Sequence, residues 1–410
     1  MVNYDLKDFF IKKYHVALHW LFKIVHLSML KNSIHIILFL FALVLLSACD
    51  DEQRSVKQVL LVYMAGDNSL SYETYQKIEA IREGLEYESD ARVLIYHDAK
   101  DTIPKFFEID KMANYKIWKL QDEENSADPV VFNRVITDAK ALYPRAKFNL
   151  LIFSHASGWL PDGMLSRPKI IAQKGVSERQ KTIIEDNRQS MDLSAFADAI
   201  PDQAFENIIF EVCLMAGVEV AYALKDKCQM LLVSSAEIVS PGFTEVYKQH
   251  INDLVDGSLQ QFGRAAFDYF DLEDPYKSGT FSIIKTAGLD SLASFVKNHC
   301  DFSKDIDPDA IQRFNRYDAH AYALYSDFEQ YHAALLETEA EKVQLQKLVS
   351  ECVVWEAATD AFLSNYSGFT IFYHSGMTCY IPQENLPILN EAYELTAWRK
   401  AISPTPQSSL

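Results

Sequence analysis

The sequence predicts an α/β protein in which a mostly parallel sheet carries helices on both faces. Three observations predict it. Apolar runs rich in Val, Ile and Leu at 59–64, 91–96, 148–153, 206–212 and 229–233 read as buried strands. Helical apolar periods lie between most of them, and strands alternating with helices at this spacing imply parallel neighbours. At 410 residues, 49% hydrophobic and 12% aromatic, the chain can bury a large core, as one large domain or two ordinary ones. The formal charge of -18 argues against nucleic-acid binding, which needs a basic face.

The first 48 residues read as a signal peptide. Ile34 to Leu46 is almost wholly apolar, with Lys31 before it and Ser47-Ala48-Cys49 after it. That core is shorter than the roughly 20 residues a spanning helix needs. Residues 1–28 fit no signal peptide well, whereas Met29 opens a conventional one and is an alternative start. A cysteine directly after Leu46-Ser47-Ala48 resembles the bacterial lipoprotein signal, with Cys49 as the lipidated first residue of an exported, envelope-anchored protein. An ordinary signal peptide with an incidental cysteine is the alternative. Residues 49–58 then form a tether. Cys213, Cys228, Cys300, Cys352 and Cys379 remain, an odd number, so at least one thiol is unpaired.

In chain order, Val59–Met64 is a strand, and Tyr72–Leu85 a helix with Ile78, Ile81 and Leu85 on one face. Ala91–Tyr96 is a second strand, and Lys105–Ile109 with Lys116–Leu120 form a hairpin at one side. Asp128–Leu142 is a helix stopped by Pro144. The strand at 148–153 ends on Ser154-His155, and Ala156-Ser157-Gly158-Trp159 breaks it. From Leu160 to Arg188 the chain is irregular, too long for a routine connection, and carries Arg167, Lys169, Lys174, Arg179, Lys181 and Arg188. Ser190–Ile200 is a helix, 206–212 a strand ending at Cys213, Leu214–Leu224 a helix, and 229–233 a strand. The second half is more helical (259–270, 289–298, 308–314, 334–361), with strands at 280–285 and 368–373. Residues 59–255 form the core unit, and 256–410 either add strands to its sheet or form a subdomain.

Two strands end on reactive groups, His155 and Cys213. Open α/β sheets put ligands at the carboxyl ends of their strands. Either residue alone has an ordinary structural explanation, as a strand cap or as a buried thiol. Together they suggest a thiol nucleophile with an imidazole base. Cys213 precedes a predicted helix, whose N-terminal dipole stabilises a thiolate. Backbone N–H groups at Ala156 and Cys213 are the candidate oxyanion donors.

These residues carry a resemblance to the clostripain family of cysteine endopeptidases, related in fold to the caspases, legumain and the gingipains. The family's first strand, VLVYMAADN, is similar to Val59–Asn68, and its SHGSGW to Ser154–Trp159. Its DACLMxxxEVAYxLK is similar to Glu211–Lys225, its GSEExxPG to Ser234–Gly242, and its GLSIYFP to Gly368–His374. The resemblance implies a caspase-like three-layer sandwich, with His155 as base and Cys213 as nucleophile of a peptidase that cleaves after Arg or Lys. It further implies a carboxylate in the S1 pocket, with Glu211, Glu237 and Glu245 as candidates, and cutting by the enzyme itself between Leu160 and Arg188. Three places depart from the family: Ala156 stands where it has glycine, Glu211 where it has aspartate, and Phe243 to Tyr247 where it has Gly-Trp-x-Tyr. A surface binding protein that keeps the fold without catalysis is therefore the alternative function. No cofactor is required. Some relatives depend on calcium, and Asp67, Asp98 and Asp101 lie at strand ends where an ion would bind, although they form no recognised calcium loop.

Overall fold

A computed structural model describes residues 56–86, 90–109, 115–120, 122–161, 183–187, 189–272, 277–315, 322–364 and 368–403. The signal peptide, Met29, Cys49, the tether up to residue 55 and the six basic residues of the 160–188 stretch lie outside them. The strands are β1 (Gln58–Gly66), β2 (Ala91–Ala99), β3 (Lys105–Ile109), β4 (Tyr115–Leu120), β5 (Lys147–Phe153), the short pair β6 (Ile184–Asp186) and β7 (Gln189–Met191), β8 (Phe205–Glu211), β9 (Cys228–Ser234), β10 (Thr280–Lys285), β11 (Ser326–Asp327), β12 (Val353–Ala358), β13 (Ala361–Phe362), β14 (Phe369–Thr370) and β15 (Thr378–Cys379). Nine of them form one sheet in the order β12-β10-β9-β8-β5-β1-β2-β3-β4. The five central strands, β9 to β2 in that order, run parallel, while β10 and β12 on one edge and β3 and β4 on the other are joined to their neighbours by antiparallel pairing.

Helices cover both faces, which is why the central strands read as nearly unbroken apolar runs. Against one face lie α1 (Ser71–Gly84), α5 (Thr244–Val255) and α6 (Leu259–Leu272) around a core that includes Leu60, Val62, Ile209, Tyr247 and Phe262. The larger core on the other face packs under α2 (Pro129–Leu142), α3 (Leu193–Ala199), α4 (Val218–Ala223), α7 (Leu289–His299), α8 (Phe328–Ala334), α9 (Glu339–Cys352), α10 (Pro387–Glu394) and α11 (Ala397–Ile402). Local chemistry sets several of these ends. Asp128 caps α2 by accepting the Val130 N–H ahead of Pro129, and Thr338 with Glu341 forms a capping box on α9.

The C-terminal part adds β10 and β12 to the same sheet. Five expectations about elements change. The helix read over 334–361 is α8 and α9 followed by β12, where Val353, Val354 and Trp355 favour a strand. The strand read over 368–373 shrinks to β14, and the helix at 308–314 to one short 3₁₀ turn. Ser190 belongs to the β6–β7 hairpin and α3 starts at Leu193, because Asp192 accepts the Ala195 N–H as its cap. The helix predicted directly after Cys213 begins only at Val218.

Candidate active site

The chain leaves β1 for β2 on one side and later runs through β5, β8 and β9 on the other, so the sheet's topological switch lies between β1 and β5. In open α/β sheets the ligand crevice forms at that place, outside the carboxyl ends. His155 stands two residues past Phe153, the end of β5, and Cys213 two past Glu211, the end of β8. The two strands are parallel neighbours with Phe153 paired to Glu211, so His155 and Cys213 follow adjacent strand ends at the same offset of two residues. Neighbouring strands are about 4.8 Å apart, and both residues are partly exposed.

The turns around them are tied together. Gly158 adopts φ of +59°, and a Cβ there would meet the Leu214 carbonyl oxygen at 2.5 Å, so only glycine lets the two turns approach. The Tyr325 hydroxyl donates to the Ser157 carbonyl at 2.6 Å, and Trp159 is buried against Tyr380 and Tyr393. Leu214, directly after Cys213, has φ of +63°, a conformation that costs a non-glycine residue of order 1 kcal/mol or more. Its N–H donates to Ala236 O at 3.0 Å and that of Ala216 to Ser234 O at 3.1 Å, so the exit of β9 holds the strained turn. Ala156 is half-buried and packs against the larger core.

Because α4 starts at Val218 and has only six residues, Cys213 does not sit at a helix N-terminus. That corrects the expected dipole stabilisation. The other four thiols are poor nucleophiles by burial, which pushes Cys352 up to about 11 and Cys300 up to about 12, and raises Cys228 and Cys379 as well. No two described cysteines form a disulfide.

His155 meets a partner that the sequence reading did not single out. Its Nε2 lies 2.7 Å from the Ser69 Oγ, across the switch point, on the turn that leaves β1. The position, just past a parallel strand's carboxyl end, was the available signal. Tyr325 lay in a stretch with no element pattern and gave none.

The three S1 candidates separate. Glu211 is corrected: its side chain is 1% exposed and paired with the equally buried Lys77 at 2.6 Å. It also accepts the Phe243 N–H at 2.5 Å and the Tyr247 hydroxyl at 2.6 Å. Both oxygens are therefore engaged inside the protein, clamping α1 and the start of α5 to the end of β8. Glu245 is corrected as well, being a surface acid of the first turn of α5 that pairs with Lys248 at 2.9 Å. Glu237 is half-buried, and it and Glu219 lie close enough to the Tyr325 hydroxyl for negative charge on them to raise it. Burial is the first cause that raises the Tyr325 hydroxyl, and these charges add to it.

Among the described residues no set of three or more His, Cys, Asp or Glu side chains is arranged to hold a metal. Asp98 is fully buried, and burial, with Asp186 and Asp67 adding to it, pushes its carboxyl up to about 7. Asp101 is exposed with φ of +61°.

Known structures share this fold. An inactive zymogen of a C11 protease from Parabacteroides distasonis is 26% identical and covers 84% of this chain and 98% of its own, with a TM-score of 0.73. A secreted C11 cysteine protease from Bacteroides thetaiotaomicron, iotapain, is 22% identical over 85% of this chain and 99% of its own, with a TM-score of 0.72. A secreted C11 cysteine protease of the same species, in complex with an irreversible peptide inhibitor, has a TM-score of 0.68 at 23% identity, over 84% of this chain and 98% of its own. No curated protein matches the chain. The sequence model of the clostripain family, however, matches residues 62–402, from within β1 to the end of α11. With a sheet of this topology and a match of that length, the chain belongs to the clostripain family of C11 cysteine peptidases.

Proposed function

We propose that this cysteine peptidase is an endopeptidase that works through a His155–Cys213 dyad. The observation that supports the reading is the register of β5 and β8, whose paired last residues Phe153 and Glu211 each precede one of the two by two positions, beside the switch point. His155 removes the Cys213 proton, and the thiolate attacks the scissile carbonyl. The oxyanion that forms is held by the backbone N–H groups of Ala156 and Cys213. His155 returns the proton to the leaving amine, and water then hydrolyses the thioacyl enzyme. With no helix N-terminus behind the thiol, its activation falls to His155.

The substrates are peptides with Arg or Lys before the cleaved bond. Glu237 supports this preference as a half-buried acid three residues past the end of β9, the strand beside β8. That a relative was captured with an irreversible peptide inhibitor is consistent with a peptide-binding cleft. The chain is exported and held to a membrane through lipid on Cys49. Support comes from the leader sequence and from a relative described as secreted. Among the described residues no helix is long and apolar enough to cross a membrane. The stretch between Leu160 and Arg188 is cut by the enzyme itself.

The test is turnover of peptides that place Arg, Lys, Asp or Leu before a reporter amide, with Cys213→Ala as control. Cleavage after Arg and Lys that vanishes in the control is expected. No turnover by folded protein, with no labelling of Cys213 by a peptide electrophile, sinks the enzyme reading in favour of a binding protein.

A further inference from the structure

We infer that Ser69 is a positioning residue for His155, and that the hairpin β6–β7 holds Ser69 in place. The inference rests on His155 being the base and adds how that base is oriented. Ser69 Oγ lies 2.7 Å from His155 Nε2. One ring nitrogen is thereby engaged, which leaves Nδ1 to exchange the proton with thiol and leaving amine. For Nδ1 to carry the lone pair, Nε2 must bear the hydrogen, and Ser69 Oγ then accepts it. The same bond persists in the imidazolium, where both nitrogens are donors.

Ser69 is exposed, so its own surroundings do not fix it. Asn68 does. Its Oδ1 accepts the Leu70 N–H at 2.8 Å, while its Nδ2 donates to Ala65 O at 3.1 Å and to Glu185 O at 2.8 Å. Glu185 is the central residue of β6. The same hairpin reaches this turn again through Asn187 N–H to Asp67 O at 2.8 Å. It also reaches the residue before His155, because the Glu185 N–H donates to Ser154 Oγ at 3.1 Å. On its far side Asp186 accepts the Ser126 N–H, and Gln189 accepts from Asn125. One short hairpin thus braces the turn that bears Ser69 and the strand end that bears His155.

The experiment uses the mature protein and three variants, Ser69→Ala, Ser69→Thr and Asn68→Asp. The last keeps the Oδ1 acceptor for Leu70 and removes the donor to Glu185. Losing one hydrogen bond of ordinary strength, Ser69→Ala should lower kcat about three- to tenfold with KM within about twofold. Ser69→Thr should restore most of kcat, and Asn68→Asp should lose it comparably. The side-chain 1H–15N spectrum of His155 gives a readout independent of turnover: a protected Nε2–H signal present in wild type and Ser69→Thr and absent in Ser69→Ala. Unchanged kcat in Ser69→Ala, or a His155 signal identical with and without the Ser69 hydroxyl, overturns the inference. Wild-type kcat retained in Asn68→Asp overturns the part assigned to the hairpin. If the wild-type protein turns over no peptide, the enzyme reading has failed, and the spectrum alone still decides whether Ser69 holds the ring.

Discussion

Replacing Lys77 by Met tests the unexpected use of the acid two residues before the nucleophile. Lys77 is fully buried, and its ammonium donates to Glu211 Oε1 at 2.6 Å, Pro241 O at 2.9 Å and Thr244 Oγ1 at 3.0 Å. All three of its protons are thus placed, and the cation also lies 4.6 Å from the centre of the Phe153 ring. Met preserves most of the stem's volume but leaves the Glu211 carboxylate buried without its counter-charge. Breaking one partner of such a pair costs about 3–5 kcal/mol. With unfolding entropy of about 2 cal/mol/K per residue, the melting temperature should fall by roughly 4–7 °C. Lys77→Met with Glu211→Gln removes both charges while keeping an acceptor for the Phe243 N–H, and should be more stable than Lys77→Met alone. The assay is urea and thermal unfolding in a Cys213→Ala background, which excludes self-digestion. A loss below about 1 kcal/mol in the single variant, or strictly additive effects in the pair, would refute a buried, coupled ion pair at this position.

Three further outcomes follow from the geometry. The folded Asp98 carboxyl titrates near 7, raised chiefly by burial, against about 4 when unfolded. The folded state therefore holds an extra proton between those values, and this contribution to stability is lost as pH rises through that window. Asp98→Asn removes the ionisation, so its urea midpoint should gain on wild type as pH goes from about 5 to about 8; a constant difference would show an ordinary carboxyl. Gly158→Ala forces a side chain into φ of +59° against the Leu214 carbonyl, and should cost more than about 1 kcal/mol and lower kcat, read by melting and turnover. Glu237→Gln should raise KM for Arg and Lys peptides by about tenfold or more, the value of a hydrogen bond to a charged group, while Glu245→Gln stays within about twofold. Equal effects of the two would remove Glu237 from the S1 pocket.

The sheet was legible wherever burial on both faces wrote itself as a run of apolar residues. β1, β2, β5, β8 and β9 all follow such runs, and β3 and β4 lie where a hairpin at one side was expected. Legibility failed where one pattern served two structures. Residues 334–361 carry apolar residues at helical spacing through α9, and only the branched and aromatic cluster at 353–355 marks the change to β12. At 214–217 the sequence continues the helical composition of α4, yet Leu214 takes a left-handed conformation imposed by the exit of β9. No local propensity reports a constraint applied from the neighbouring strand.

The candidate site divides along the same line. The places of His155 and Cys213 past strand ends were readable because each follows its own apolar run, and only the adjacency of those strands needed the structure. Glu211 was misread because its place beside the nucleophile is a fact of sequence, whereas its role is set by residues far along the chain. Side chains alternate across a strand, so Phe210 enters the larger core while Glu211 points to the other face, toward Lys77, Thr244 and Tyr247. Lys77 belongs to α1, whose other buried positions are small or apolar except for Thr74, so its burial is intelligible only with a carboxylate opposite. The two charges thus specify each other and together fix the turn at 241–244. An acid committed to that pair differs from Glu237, three residues past the end of β9, and comparing Glu237→Gln with Glu245→Gln is what tests Glu237 as the acid for a cationic side chain.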